Sequence, residues 1–285
     1  MIEKGSIIWE EFIYGGHWGS IAASAISLSV LILLNIEIKW EFLLLVYLGT
    51  QCIYSYNHYK EMRIDEISNL PRVKHIKRYD KYLPPLTIFY EITYFIVLFY
   101  FGNRISLFFG GLLMLFGLLF TERGKKLSKK IVCFKSIYTS FSWSLLTFFT
   151  ILYHSCQINA AALIFFIFIF LRLMIDTIFF DIKDIESDKK EGLLTLPIIF
   201  NNRKNLLNFL VFLNFISFVP IVVGVLTKTL PLFSLFLLPL IFYSLYYIQK
   251  AKSRETDIHF LSYILVDGEY YYWPFLLFIG TMFIN

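Results

Sequence analysis

Three aspartates, Asp181, Asp184 and Asp188, stand at steps of three and four in the stretch DIKDIESDKKEGLLTLP, residues 181–197, directly after a nearly unbroken apolar run. A helix turns about 100° per residue, so this spacing turns the three carboxylates into one narrow arc. Like charges on one helix face repel, and a positive group must hold them together. Carboxylates with open oxygens suit Mg²⁺, which keeps waters and shares its shell with substrate phosphates. A second acidic stretch lies upstream. In YSYNHYKEMRIDEISNLPR, residues 54–72, Asn57, Glu61 and Asp65 recur at steps of four, again on one side of a helix. The competing explanation for either cluster is a solvated helix end paired with neighbouring lysines and arginines. Against it, acids at a membrane edge are costly and usually functional.

The elements that position these residues follow from composition. Of 285 residues, 58% are hydrophobic and 20% aromatic, too little polar surface for a soluble domain. Apolar runs of about 18 residues or more read as spanning helices, and none alternates as barrel strands do. The expected fold is all-α: a polytopic membrane protein with nine transmembrane helices in a bundle around a central cavity. The spans fall near 18–36, 40–57, 83–101, 105–121, 133–153, 159–180, 206–226, 230–248 and 268–284. No soluble segment interrupts them, so residues 1–285 read as one domain. Glu3, Glu10 and Glu11 argue against a cleavable signal peptide. Cys52, Cys133 and Cys156 lie in or beside apolar runs and read as small buried side chains.

Charge placement sets the expected orientation. Of 26 lysines and arginines, 22 fall on one side of the nine-span arrangement. Three fall on the other side (Lys39, Arg104 and Lys228), and Arg172 lies inside a span. Positive residues favour the cytoplasmic side, which puts the N-terminus and both acidic helix ends inside and the C-terminus outside. The partners implied are a lipid bilayer and no nucleic acid.

With two acidic motifs after the second and sixth of nine helices, the sequence resembles the UbiA superfamily of intramembrane prenyltransferases. DIKDIESDKKEGLLTLP, with its Gly192, Thr195, Leu196 and Pro197 tail, is similar to the second family motif. Asn57, His58, Glu61 and Asp65, with Asn69 and Arg72 downstream, stand where the first motif, N-D-x-x-D-x-x-x-D, belongs. His58 replaces an aspartate and Glu61 another, and the Arg–Pro start of quinone-type members is missing. The resemblance implies that Mg²⁺ bridges the two clusters to an allylic polyprenyl diphosphate, held by Asn57, Glu61, Asp65, Asp181, Asp184 and Asp188. The metals and basic side chains then stabilise departing pyrophosphate. A dry, aromatic cavity protects the allylic cation, which alkylates an aromatic or lipid acceptor. Catalytic roles are implied for Asp181, Asp184, Asn57, Glu61 and Lys135. Contacts to the diphosphate-bearing substrate are expected of Arg72, Lys189, Tyr138 and Lys125. A terpene cyclase on the same scaffold is the nearest alternative. A divalent-cation or proton-coupled transporter is a third reading, although such sites favour the bilayer midplane.

Three further features stand beside these motifs. Lys135 and Tyr138 share a helix face, which suits either diphosphate contact or a snorkelling lysine. Arg172 and Asp176, at i and i+4 inside a span, read as a structural ion pair, with Asp176, one turn before the second motif, alternatively joining it. VDGEYYYWP, residues 266–274, and YGGHWGS, residues 14–20, suit either a lining on the acceptor side or an interfacial belt of aromatic residues, but a belt does not explain Asp267 and Glu269.

Overall fold

The computed structural model describes residues 7–253 and 255–284 and, within them, all side chains but those of Glu122, Arg123 and Lys125. Lys4 and Arg254, both counted in the charge map, lie outside the described residues. Among those residues every regular element is helical. The helices are α1 (Ile7–Tyr14), α2 (His17–Leu33), α3 (Trp40–Ser68), α4 (Leu70–Ile76), α5 (Leu83–Phe101), α6 (Arg104–Leu119), α7 (Phe134–Ser144), α8 (Leu146–Tyr153), α9 (Ala160–Lys183), α10 (Ile185–Glu191), α11 (Arg203–Ser217), α12 (Val219–Leu226), α13 (Leu240–Lys250) and α14 (Asp267–Phe283).

Each of the nine expected segments contains helix, but nine membrane crossings do not follow. By length and apolarity four helical stretches can cross: Asp80–Phe101, Ala160–Lys183, Arg203–Leu226 and Leu232–Lys250. A fifth is added if α1 and α2, bent by 55° at their junction, form one broken span. The remaining segments fall short for local reasons. α3 is 29 residues long but carries Gln51, Asn57 and the charged motif. α6 has 16 residues before it widens into a π turn at Phe120–Gly124. The fifth segment is divided between α7 and α8 at Leu145. α14 has 17 residues, with Pro274 inside it.

Polar caps decide where the greasy helices start. Asn103 and Ser106 form a reciprocal capping box at α6. The Asn159 side chain accepts from Ala162 N at 2.9 Å to open α9. Past α10, Gly192 turns the chain with φ of 75°, a left-handed conformation open to glycine.

α9 is the central helix. Its Phe165, Phe168 and Ile169 face α2 and α14, while Ile175, Ile178 and Phe179 face α11 and α13. A separate apolar core joins α2, α3, α5, α6 and α8 around Phe42, Leu45, Tyr94 and Phe149. α14 packs on α2, so the last helix closes the bundle against the first long one. Ser136, Ser140 and Ser144 on α7 are buried. Small residues of this kind let two helix backbones approach closely, and α7 does pack along α9.

The bend between α1 and α2 is set by Gly16, at φ 89°. A Cβ there would stand 2.9 Å from Tyr54 Cβ. Gly16→Ala is therefore expected to destabilise the protein by about 1–3 kcal/mol through backbone strain and displacement of Tyr54. Thermal unfolding in detergent reads the change, and an unaltered melting temperature would contradict the packing assigned to this bend.

Candidate active site

The helices enclose a cavity of about 360 Å³ at one end of the bundle. Its polar end is built from the C-terminal parts of α3 and α9 with α10. α3 continues past the cavity wall, so Asn57, Glu61 and Asp65 all line the cavity. α9 ends at Lys183, and Asp184 caps the junction with α10. That short break keeps Asp181, Asp184 and Asp188 on the cavity side.

The two acidic segments meet directly. Asp184 Oδ1 accepts from Ser68 Oγ at 3.0 Å and from Asn69 Nδ2 at 3.2 Å, both at the end of α3. Ser187 Oγ lies 3.1 Å from Ser68 Oγ. Tyr263 OH donates to Asn69 Oδ1 at 3.0 Å, which ties the last helical segment to the same corner.

The four aspartates that could hold a cation, Asp65, Asp181, Asp184 and Asp188, already face one. Lys135 Nζ stands 2.7 Å from Asp181 Oδ1 and 3.4 Å from Asp188 Oδ1, bridging the pair. The other Asp181 oxygen accepts from Ser136 Oγ at 3.0 Å. Lys183 Nζ pairs with Asp184 Oδ2 at 2.7 Å, and Arg72 Nη2 with Asp65 Oδ2 at 2.6 Å. Asn57 Oδ1 accepts from Thr121. Among the described residues, no three His, Cys, Asp or Glu groups converge closely enough to enclose a metal by themselves.

Burial opposes the charge on Asp184, yet Lys183, Lys135 and Arg72 outweigh it and hold its carboxyl well below the usual carboxylate range. Burial pushes Asp188 up to about 7 against the pull of Lys135, aided by the nearby Asp181 and Asp184 charges. Arg72 loses solvation in the same corner, but the negative charge facing it, Asp65 and Asp184 included, raises its hold on its proton.

The donor set fits a hard divalent cation. All candidate ligands are oxygens, five of them from carboxylate side chains. Asp188 Oδ2 is buried with no hydrogen-bond partner, an arrangement that normally calls for a missing partner.

The sequence-derived residues sort unevenly. Asn57, Glu61, Asp65, Arg72, Lys135, Tyr138, Asp181, Asp184 and Asp188 all line the one cavity. Tyr138 OH donates to Phe116 O at 2.8 Å, and its ring stacks on Phe120. Lys189 does not join them; it follows Asp188 by one residue, so the helix turns it to the exposed face. The Lys125 side chain lies outside the described residues. His58 is buried in the cavity wall beside Tyr54. Ser68, Ser136 and Lys183 were missed as site residues. Lys183 was counted only as a topology charge, although it sits inside the second acidic motif.

A further expectation is overturned. Arg172 does not pair with Asp176 but with Glu269, Nη2 to Oε2 at 2.5 Å, both buried. Asn214 Oδ1 at 2.5 Å and Ser217 Oγ at 3.2 Å accept from Nη1 of the same guanidinium. Local helical spacing pointed to Asp176, but the bundle brings α14 against the same face with a better-placed carboxylate. Glu269 is thereby accounted for as the counter-charge of Arg172.

A family model described as the UbiA prenyltransferase family matches residues 18–266, most of the chain and both acidic segments. The chain belongs to the UbiA prenyltransferase family. Solved structures share its fold at low identity. A UbiA homolog from Aeropyrum pernix K1 in the apo state matches with a TM-score of 0.68 and 12% identity, over 94% of this chain and 97% of that one. A UbiA homolog from Archaeoglobus fulgidus bound to GPP and Mg²⁺ matches with 0.65 and 14%, over 94% and 98%. A structure described as digeranylgeranylglyceryl phosphate synthase matches with 0.58 and 17%, over 98% and 100%. Comparison with curated proteins gave no match. As a UbiA family member with several apolar helices, the protein is an integral membrane protein.

Proposed function

We propose that this UbiA protein is a Mg²⁺-dependent intramembrane prenyltransferase, one domain over residues 1–285, that ionises an allylic polyprenyl diphosphate and passes the prenyl group to a lipophilic acceptor. The observation that carries the reading is the junction of the two acidic segments. Asp184 bonds to the end of α3, while Lys135 pairs with Asp181 and Asp188, Lys183 with Asp184 and Arg72 with Asp65 around the same corner. Acids and bases alternating at the mouth of a largely apolar cavity suit a ligand with a charged head and a hydrocarbon tail. The UbiA homolog bound to GPP and Mg²⁺ supports the same class of ligand.

Asp181, Asp184 and Asp188 from one side and Asn57, Glu61 and Asp65 from the other would hold Mg²⁺. Bound there, Mg²⁺ supplies Lewis-acid charge stabilisation of the departing pyrophosphate. Lys135 leaves its bridge between Asp181 and Asp188 and turns to the diphosphate, with Arg72 and Lys183 close by. The carbon–oxygen bond breaks and pyrophosphate leaves with the electron pair. Tyr54, Tyr94, Trp143 and Phe149 line the apolar part of the cavity, where they exclude water and offer π faces to the cation. His58 in place of a carboxylate leaves the α3 side with Glu61 and Asp65 as its acids. The lysines and arginines concentrated in the segments around this mouth support a cytoplasmic orientation for it.

Purified protein given radiolabelled geranyl diphosphate is expected to release pyrophosphate with Mg²⁺ and not with EDTA. Metal-dependent uptake into proteoliposomes without pyrophosphate release would favour transport instead. The same assay has a defined pH dependence. Metal binding needs Asp188 ionised, and its protonated form accumulates below about pH 7. The Mg²⁺ concentration for half-maximal release should therefore rise about tenfold per pH unit below that point and level off above it. Asp188→Asn should abolish this slope; a slope unchanged in the variant would assign the titration to another group.

A further inference from the structure

Alkylation by an allylic cation must end with loss of a proton, and the carboxylates at the cavity mouth are poor candidates to take it. They are paired with Lys135, Lys183 and Arg72 and are assigned to cation binding. Two other acids line the same cavity away from that mouth, Asp176 and Asp267. Asp176 precedes Asp181 by five residues, about 7.5 Å along α9 at 1.5 Å per residue. It is 9% exposed. Tyr270 OH donates to its Oδ2 at 3.0 Å, while Oδ1 is buried without a partner. A buried carboxylate oxygen left bare is costly and calls for a donor. Arg172, one turn back on the same helix, is taken by Glu269. Asp267, at the start of α14, lines the same cavity as Asp176 and Lys183. Around the pair stand Tyr54, Thr177 and Trp143, all lining the cavity.

We infer that Asp176 and Asp267 form the acceptor site, with Asp176 Oδ1 the base that takes the proton of a hydroxyl-bearing lipid acceptor. The inference rests on the prenyltransferase reading above. When the diphosphate carbon–oxygen bond has broken, a new bond forms between the allylic carbon and the acceptor oxygen. The hydroxyl proton passes to Asp176 Oδ1, and Asp267 accepts it in turn before it leaves the cavity. Tyr270 fixes Asp176 through Oδ2 and so aims Oδ1 at the acceptor.

The test compares wild-type protein with Asp176→Asn and Asp267→Asn, using radiolabelled geranyl diphosphate, Mg²⁺ and a total lipid extract as the hydroxyl source. Pyrophosphate and labelled lipid adduct are measured in the same reaction, and Mg²⁺-dependent geranyl diphosphate binding checks that each variant is folded. The expected result is adduct per pyrophosphate lowered about 10²-fold in Asp176→Asn, with a smaller loss in Asp267→Asn and little change in KM for geranyl diphosphate. An unchanged ratio in Asp176→Asn overturns the base assignment alone. Wild-type release of pyrophosphate with geraniol as the sole organic product overturns the hydroxyl-lipid acceptor. No pyrophosphate from the wild type overturns the prenyltransferase reading, and the inference falls with it.

Discussion

Asp181→Asn is expected to lower Mg²⁺-dependent pyrophosphate release by about 10³-fold, the loss typical when one preorganised group at a developing charge is removed. Asp181 is 1% exposed and joins three elements of the site. It receives Lys135 at 2.7 Å and Ser136 at 3.0 Å from α7, and it shares Lys135 with Asp188. The amide keeps the shape but removes the charge that holds both the lysine and a divalent cation. Asp184→Asn should behave similarly, with a further effect on the junction to Ser68 and Asn69. Lys189→Ala is the contrast. Its side chain is exposed on the far face of α10, and release should stay within about twofold of the wild type, as for most surface changes away from a site. Steady-state release assays on the three variants check the set. Equal losses in Asp181→Asn and Lys189→Ala would contradict the geometry of the mouth.

Arg172→Met is expected to destabilise the protein by about 3–5 kcal/mol, because Glu269 is left buried without its counter-charge. The pair lies deep between α9, α11, α13 and α14, with Asn214, Ser217 and Ser244 bound to the guanidinium. Glu269→Leu alone strands Arg172 in the same way. The double variant removes both charges and should recover most of the loss, since replacing a whole buried pair by apolar groups is often close to neutral. Thermal unfolding of the four proteins in one detergent gives the coupling energy. Additive losses in the double variant would show that the two residues stabilise the fold separately.

This pair also marks the limit of what the sequence conveys. Asp181, Asp184 and Asp188 were legible because charge is rare in so apolar a chain and their spacing is helical. Asn57, Glu61 and Asp65 were legible for the same reason. Arg172 was assigned to Asp176 by the i, i+4 rule, which sees one helix at a time. Its partner is 97 residues away and arrives only when α14 closes on α9. Ser68 and Asp184, 116 residues apart, meet by the same kind of tertiary contact. Lys189 illustrates the converse error, in which a basic residue beside the motif was counted with it although one helical step turns it outward. The helical segments were found by apolarity alone. Their ability to cross a membrane was not, because polar residues that face the cavity, as on α3, dilute the apolar signal of the helices that carry them.

The central claim is that two acidic helix ends hold a diphosphate together through Mg²⁺. Calorimetric titration with a non-hydrolysable geranyl thiodiphosphate, at increasing Mg²⁺ and in EDTA, tests it most directly. The account predicts reciprocal coupling, with Mg²⁺ tightening analogue binding and the analogue tightening Mg²⁺ binding by the same factor, and with both effects lost in Asp184→Asn. Equal analogue affinity in Mg²⁺ and in EDTA would contradict it, and would leave Lys135, Lys183 and Arg72 as the sole binders of the head group.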